Sequence, residues 1–511
     1  MEITAHLMFK NKDFLPETDA SCWGKEFLSS DLGTDRIVDA MARGDKHIKA
    51  SCAAALYAPL DTREAVIYRQ HILRDVFACP DMMRSLFMLS CDALDEARKS
   101  WYWLDSRFLS STFSSAVGLL RMYVKKLLLI RAVADRLKQE VTSEELLTFF
   151  NGLQANLNDD YFKELNDCLA ELADRDGILI KSSVGACLQG TDYVYLRKTK
   201  KSFWRRWTFA PSYTLPERDE RGAQDFTNRT ERALNESANA LAQAAENMKR
   251  FFTTLRDESA FYTGCVNLSD TLKLRGMTTV IPDIVCGDPP SSRVRGMYET
   301  GLALANTGAV VTNDYIAPEK RLCVVTGANQ GGKSTFLRSI GQMQLMAQCG
   351  MFVAAAEASL PVYSGIFTHF TKEEDSGLDS GKLDEELLRM DKIVQHLRKG
   401  AIVLFNESFA ATNEREGSEI ARQIVRALVE NGISVVFVTH QYDFARSLFS
   451  NQSGTMIFLR AQRLPDGSRT FKITEGEPEH TSYGMDIYNK IFTQKDPVFL
   501  SQEEKHGQTE Y

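Results

Sequence analysis

The sequence predicts a mostly helical first half followed by an α/β domain built on a mostly parallel sheet. Three observations carry that reading. Glycine and proline are sparse from residue 1 to about 275, and apolar residues recur there at three- and four-residue spacing. The texture changes near Thr278, where "VIPDIVCGDPPSSRVRG" is rich in Pro, Gly and Ser, as at a domain boundary. Beyond it the β-branched runs "GAVVTND", "RLCVVTG", "AIVLFNE" and "ISVVFVTH" alternate with helical stretches.

Within the first half, Leu234, Ala238, Leu241, Ala245, Met248, Phe252 and Leu255 alternate four- and three-residue steps. That heptad seam predicts a long helix packed on a neighbour, or a coiled-coil dimer seam. One stretch breaks the helical texture. "GTDYVYLRKTKKSFWRRWTF", Gly190 to Phe209, interleaves Tyr193, Tyr195, Phe203, Trp204, Trp207 and Phe209 with six basic residues. A small β insertion is expected over 190–215. Arg197, Lys198, Lys200, Lys201, Arg205 and Arg206 are the candidate DNA contacts, because cations neutralise phosphates and exposed rings stack on bases; the alternative is a hairpin whose rings are core and whose charges are solvated.

The second half carries the chemistry. "VVTGANQGGKST" follows an apolar strand and opens an apolar-periodic helix. It contains the phosphate-cradling spacing G-x-x-x-x-G-K-[ST], from Gly327 through Gly332, Lys333 and Ser334. The amides of Asn329 to Lys333 are expected to wrap a β-phosphate at a helix N-terminus. Lys333 would neutralise the β- and γ-phosphates, and Ser334 would ligate Mg²⁺. ATP and Mg²⁺ are therefore the expected cofactors. The strand "AIVLF" ends at Asn406-Glu407, where a phosphate-loop ATPase places a metal-shell acid and then a base. Glu407 fits the base. Asn406 stands where an Asp is expected and brings no charge, so weaker Mg²⁺ binding follows. A third strand, "SVVFVTH", ends near His440, a candidate to sense the γ-phosphate or position water.

Composition bounds the rest. At 511 residues the chain exceeds a single ordinary core. It is 44% apolar and 25% charged, with a net charge of −7, so any nucleic-acid surface must be a local basic patch. Ten cysteines without metal-ligand spacing read as buried thiols in a reducing compartment. "MEITAHLMFKNKDF" lacks the pattern of a signal peptide, and the apolar run "LLLI" is far short of a membrane span. A cytoplasmic protein with no membrane segment is expected.

The ordered set "VTNDYIAP", "TGANQGGKST", "SGKLDEEL", "NESFAATNEREGSEIA", "VTHQYDFA" and "SYGMDIY" resembles the ATPase domain of the MutS family of DNA mismatch-repair proteins, over about residues 295–490. Its most specific parts are Asn329-x-Gly331-Gly332-Lys333-Ser334-Thr335 and Ser482-Tyr483-Gly484. "LYAPLDTREAVIYRQ", Leu56 to Gln70, resembles the start of that family's helical core. The resemblance implies a core and lever domain over 56–275 and an ABC-type ATPase domain over 276–497, after an N-terminal segment over 1–55; the polar run "FLSQEEKHGQTEY" predicts a flexible tail over 498–511. The resemblance also implies a homodimer with each ATP sandwiched between one subunit's phosphate loop and the other's signature segment. DNA would be gripped by the levers.

Three departures qualify this. About 55 residues precede the core-like segment and none form the family's Phe-x-Glu, so mismatch reading by that route is not expected. The family's Asp-Glu is Asn406-Glu407 here. Its Ser-Gly-Arg-Ser-Thr-Phe signature is Ser380-Gly381-Lys382-Leu383-Asp384-Glu385, with Leu383 in place of a hydroxyl. Slow hydrolysis is expected. The resemblance therefore points to a DNA-binding ATPase of repair or recombination. The alternative is an ATP-switched scaffold whose partner is another protein.

Overall fold

The computed structural model describes residues 4–19, 23–101, 109–173, 179–197, 214–216, 218–306, 308, 310–371, 381–451, 453–464 and 468–479. Two compact units emerge: residues 1–21, 38–58 and 67–270 in the first, and 22–37, 59–66 and 271–511 in the second.

The first unit is helical. Its helices are α1 (Pro16–Asp19), α4 (Lys46–Tyr57), α6 (Pro80–Trp101), α7 (Leu109–Leu137), α8 (Glu144–Asn156), α9 (Asp159–Ala173) and most of α10 (Glu220–Leu274). The helices α3 (Asp35–Ala42) and α5 (Arg63–Ala78) run across the unit boundaries. The heptad seam lies on α10, a helix of 55 residues and thus about 80 Å long. Leu234, Ala238, Ala245, Phe252 and Leu255 are buried, and Phe252 stacks on Tyr123 of α7 at 5.3 Å. Five of the seven seam residues are therefore covered by the chain itself, while Leu241 and Met248 are half-buried. Farther along α10, the buried Glu258 carboxylate accepts from the amides of Leu7 at 2.6 Å and Phe14 at 3.2 Å. Burial pushes that carboxyl up to about 8.

A hairpin of β1 (Leu179–Val184) and β2 (Gly190–Arg197) interrupts the helices. It begins upstream of the stretch where the sequence suggests strand, because "LIKSSV" is too short and polar to show a period. Three of the nine described cysteines, Cys168, Cys187 and Cys286, are exposed, contrary to the buried-thiol expectation.

The second unit holds two sheets. A six-stranded sheet runs in the order β12 (Arg469–Glu475), β11 (Met456–Arg463), β6 (Leu322–Thr326), β10 (Ser434–Val438), β9 (Ile402–Asn406) and β8 (Ile366–Phe370). All neighbours are parallel except β11 and β12. Apolar runs such as "LCVV" and "SVVFV" suit strands covered on both faces. Phe405 and Phe437 stack at 5.0 Å in the core, and Phe437 meets Phe444 at 4.7 Å. Around the sheet stand α2 (Lys25–Leu32), α11 (Thr300–Ala305), α12 (Lys333–Gln348), α13 (Lys382–Val394), α14 (Glu414–Glu430) and α15 (Tyr442–Ser450). A four-stranded sheet has the order β3 (Asp283–Val285), β7 (Glu357–Pro361), β4 (Ser292–Met297) and β5 (Asn313–Ala317).

Residues 1–55 do not form one N-terminal segment, since 22–37 belong to the second unit. Trp23 stacks on His396 with ring centroids 4.2 Å apart, and Leu28 and Leu32 are buried. A Cβ on Gly341 would lie 2.5 Å from a Leu32 methyl, so glycine there lets α2 approach α12. Polar groups close the joint. Arg338 donates to the Asp31 carbonyl at 2.9 Å, and Gln342 donates to the Leu32 carbonyl at 2.7 Å. The Asp31 carboxylate, buried, pairs with Arg389 of α13. Arg389 also donates to the carbonyls of Thr368 at 2.9 Å and Phe370 at 3.1 Å.

Asp31→Ala leaves the Arg389 guanidinium enclosed without its carboxylate. The expected loss of stability is about 3 kcal/mol, read as a lower midpoint of urea unfolding. A change below about 0.5 kcal/mol, the scale of an ordinary surface substitution, contradicts this account of the joint.

Candidate nucleotide site

In a parallel sheet the carboxyl ends of the strands are where loops converge on ligands. Here β6, β10 and β9 are adjacent, so Gly327, His440 and Asn406-Glu407 follow their ends side by side. The chain leaves β6 through Gly327, with φ 119, and enters α12 after Gly332, with φ 91. Those angles suit glycine, and so does the space. A Cβ on Gly327 would lie 3.0 Å from the Ala461 backbone nitrogen, and one on Gly331 2.9 Å from the Ala328 carbonyl oxygen. Asn329 and Gln330 are exposed on the loop.

Lys333 is the first residue of α12 and only 3% exposed. Its Nζ donates to the carbonyls of Gly327 at 2.8 Å and Ala328 at 3.0 Å. A carboxylate oxygen of Glu407 is 3.9 Å away. Burial lowers the Lys333 pKa and Glu407 opposes the shift. Ser334 Oγ donates to Asn406 Oδ1 at 2.8 Å, so the two metal candidates face each other. Glu407 Oε2 lies 3.8 Å from His440 Nδ1. The His440 side chain holds the Glu407 carboxyl below the usual range, with burial opposing and Lys333 assisting. Glu407 in turn raises the His440 pKa.

A cavity of about 390 Å³ borders Lys333, Ser334 and Glu407 of this cluster. Gly331, Gly332, Lys333, Ser334, Thr335 and Glu407 line it, together with Glu299, Val310, Asn313 and Phe471. The last four escape the sequence reading. Phe471 takes φ 57 on β12, with its side chain 3.6 Å from where a Gly332 Cβ would stand. Asn313 of β5 fastens it: Nδ2 donates to the Phe471 carbonyl at 3.1 Å, and Oδ1 accepts from the Ile473 amide at 2.7 Å. The turn signal Pro465-Asp466-Gly467 could have suggested the β11–β12 hairpin, but nothing local says that it walls this cavity.

The residues fit a bound nucleoside triphosphate and its metal. A buried cation at a helix N-terminus, with backbone approaching closely and two oxygens facing each other beside it, is a receptor for a polyphosphate. Other expectations land elsewhere. Leu383 packs against the sheet core, so its side chain is engaged within its own unit. Ser380 and the Ser482-Tyr483-Gly484 run lie outside the described residues, as do Lys198, Lys200, Lys201, Arg205 and Arg206. Arg197 closes β2.

Fold and site together define a phosphate-loop nucleotide-binding domain. The model of the MutS2 N-terminal domain matches residues 61–275, and that of MutS domain V matches residues 323–507. The DNA mismatch repair protein MutS of Thermotoga neapolitana is 40% identical over 131 residues, 25% of this chain and 16% of that protein. Its namesake in Streptococcus pneumoniae is 30% identical over 175 residues, 34% of this chain and 20% of that protein. The chain belongs to the MutS family. Its matched stretches span no more than a fifth of these relatives' length.

Because His440 depresses the Glu407 pKa, His440→Ala should move the Glu407 carboxyl titration to higher pH. Carbon-13 NMR of the carboxyl, compared with the unsubstituted chain, reads this. An unmoved midpoint means that the two side chains do not interact.

Proposed function

We propose that the chain is a MutS-like DNA-binding ATPase, an ATP-switched homodimer of DNA repair or recombination. The observation that carries the reading is the meeting of Lys333, the Ser334–Asn406 pair and the Glu407–His440 pair within the family-matched region. In this reading residues 276–497, the largest part of the second unit, are an ABC-type ATPase domain. Residues 56–275, apart from the pieces that the second unit holds, are core and lever, and 498–511, expected to form a tail, lie outside the described residues. The protein works in the cytoplasm.

The loop amides and Lys333 would hold the phosphates of ATP. Ser334 and Asn406 would hold Mg²⁺, which supplies charge neutralisation when bound. Glu407 stays ionised across neutral pH, being held below the usual carboxylate range, and accepts a proton from the attacking water. His440 keeps the carboxylate oriented. Asn406 contributes a dipole and no charge, so turnover is slow. ATP bound between Lys333 of one subunit and the signature segment of another favours a closed dimer, which is what makes it a switch.

Leu383, packed on its own core, favours a second reading, in which the chain is a scaffold that binds ATP and a protein partner but no DNA. Fluorescence-anisotropy titration of the full chain with duplex and single-stranded DNA, with and without ATP, separates the two. The DNA reading expects binding whose log–log salt slope has a magnitude of about 5, from roughly six phosphate contacts. No binding to either DNA at 50 mM salt, a low ionic strength, overturns it in favour of the scaffold.

A further inference from the structure

Glu407 takes φ 55 and Phe409 takes φ 62, so two residues other than glycine stand in the left-handed region around Ser408. Such a turn persists only when its surroundings hold it. Its partners come from three directions. The Glu407 amide donates to the Val438 carbonyl at 2.8 Å, and the Glu407 carbonyl accepts from Thr371 Oγ1 at 2.8 Å. Ser408 Oγ lies 2.7 Å from both Nδ1 and the carbonyl oxygen of His369. The Phe409 carbonyl accepts from Gln441 Nε2 at 3.2 Å, beside His440. A Cβ on Gly417 would lie 2.2 Å from that carbonyl oxygen, so α14 also abuts the turn.

The remaining partner is Glu386, on α13. Its Oε2 accepts from the Phe409 amide, and its Oε1 lies 3.4 Å from Thr371 Oγ1. Its carbonyl accepts from His369 Nε2 at 2.9 Å. The side chain is 7% exposed and does not line the nucleotide cavity, so it touches the turn and not the ligand space. The carboxylate thus holds the Phe409 end directly and stands against the Thr371 hydroxyl whose proton goes to the Glu407 carbonyl.

We infer that Glu386 is a positioning residue for Glu407, acting through the Phe409 amide and the Thr371 hydroxyl. The inference rests on the reading of Glu407 as the base. It ties α13, which begins in the signature segment, to the geometry of the base in the same chain. It also explains a buried acid that the phosphate loop does not use.

The test compares Glu386→Ala, Glu386→Gln, Thr371→Val and Glu407→Gln in the full chain. Glu386→Ala should lower kcat at least about tenfold while KM for ATP and the affinity for a fluorescent ATP analogue change less than about twofold. Glu386→Gln keeps an oxygen for the Phe409 amide and an amino group for Thr371 Oγ1, so it should restore kcat to within about threefold. Thr371→Val, a milder change, should lower kcat without moving analogue binding. A second readout needs no turnover. In Glu386→Ala the Glu407 carboxylate drifts from His440, so the His440 imidazole should titrate at lower pH by proton NMR. Loss of turnover in Glu407→Gln alongside full kcat in Glu386→Ala and Thr371→Val overturns the positioning role alone. Full turnover in Glu407→Gln overturns the reading of the base. An unmoved His440 titration in Glu386→Ala overturns the positioning role whatever the rates.

Discussion

The ammonium of Lys333 sits at the N-terminus of α12, almost out of contact with solvent, and donates to two backbone carbonyls. Three effects act on that charge. Burial disfavours it, the positive end of the helix dipole disfavours it, and Glu407 at 3.9 Å supports it. A dianionic or trianionic ligand reverses the balance, because it meets the cation and the helix dipole together. The rest of the site follows from that demand. Gly327 and Gly331 let the backbone draw close to the β11–β12 hairpin, and Phe471 closes the wall over Gly332.

The second constraint is the turn that presents Glu407. A left-handed residue without a glycine's freedom costs about 1–2 kcal/mol, and here two occur within three residues. That cost is met by hydrogen bonds from β8, β10 and α13 and by the absence of a side chain at Gly417. Of these, α13 and β8 are joined to residues 22–37 through Arg389 and Asp31. A piece of chain about three hundred residues before the phosphate loop therefore bears on the helix that braces the Glu407 turn.

What was legible in the sequence was local. Apolar β-branched runs ending in chemically distinctive residues placed β6, β9 and β10 and, with them, Lys333, Ser334, Asn406, Glu407 and His440. The heptad seam on α10 was legible because its period repeats along one helix, although its partner helix was not. Long-range pairings were not legible. Asp31 meets Arg389 across more than three hundred residues, and neither carries a local signal. Phe471 and Asn313 reach the cavity through sheet order, which no spacing encodes. Glu386 carries no local signal, because its contact is with an amide twenty-three residues away.

If the buried Lys333 charge is the element around which the site is built, affinity must depend on phosphates that reach it. Isothermal titration of the full chain with ATP, ADP and AMP in the presence of Mg²⁺ measures this directly. The account predicts binding of ATP and ADP, with AMP at least about 100-fold weaker, or roughly 2.7 kcal/mol, since its single phosphate does not reach the loop. AMP binding within about threefold of ADP would contradict it, because recognition would then rest on the base and sugar and not on the charge.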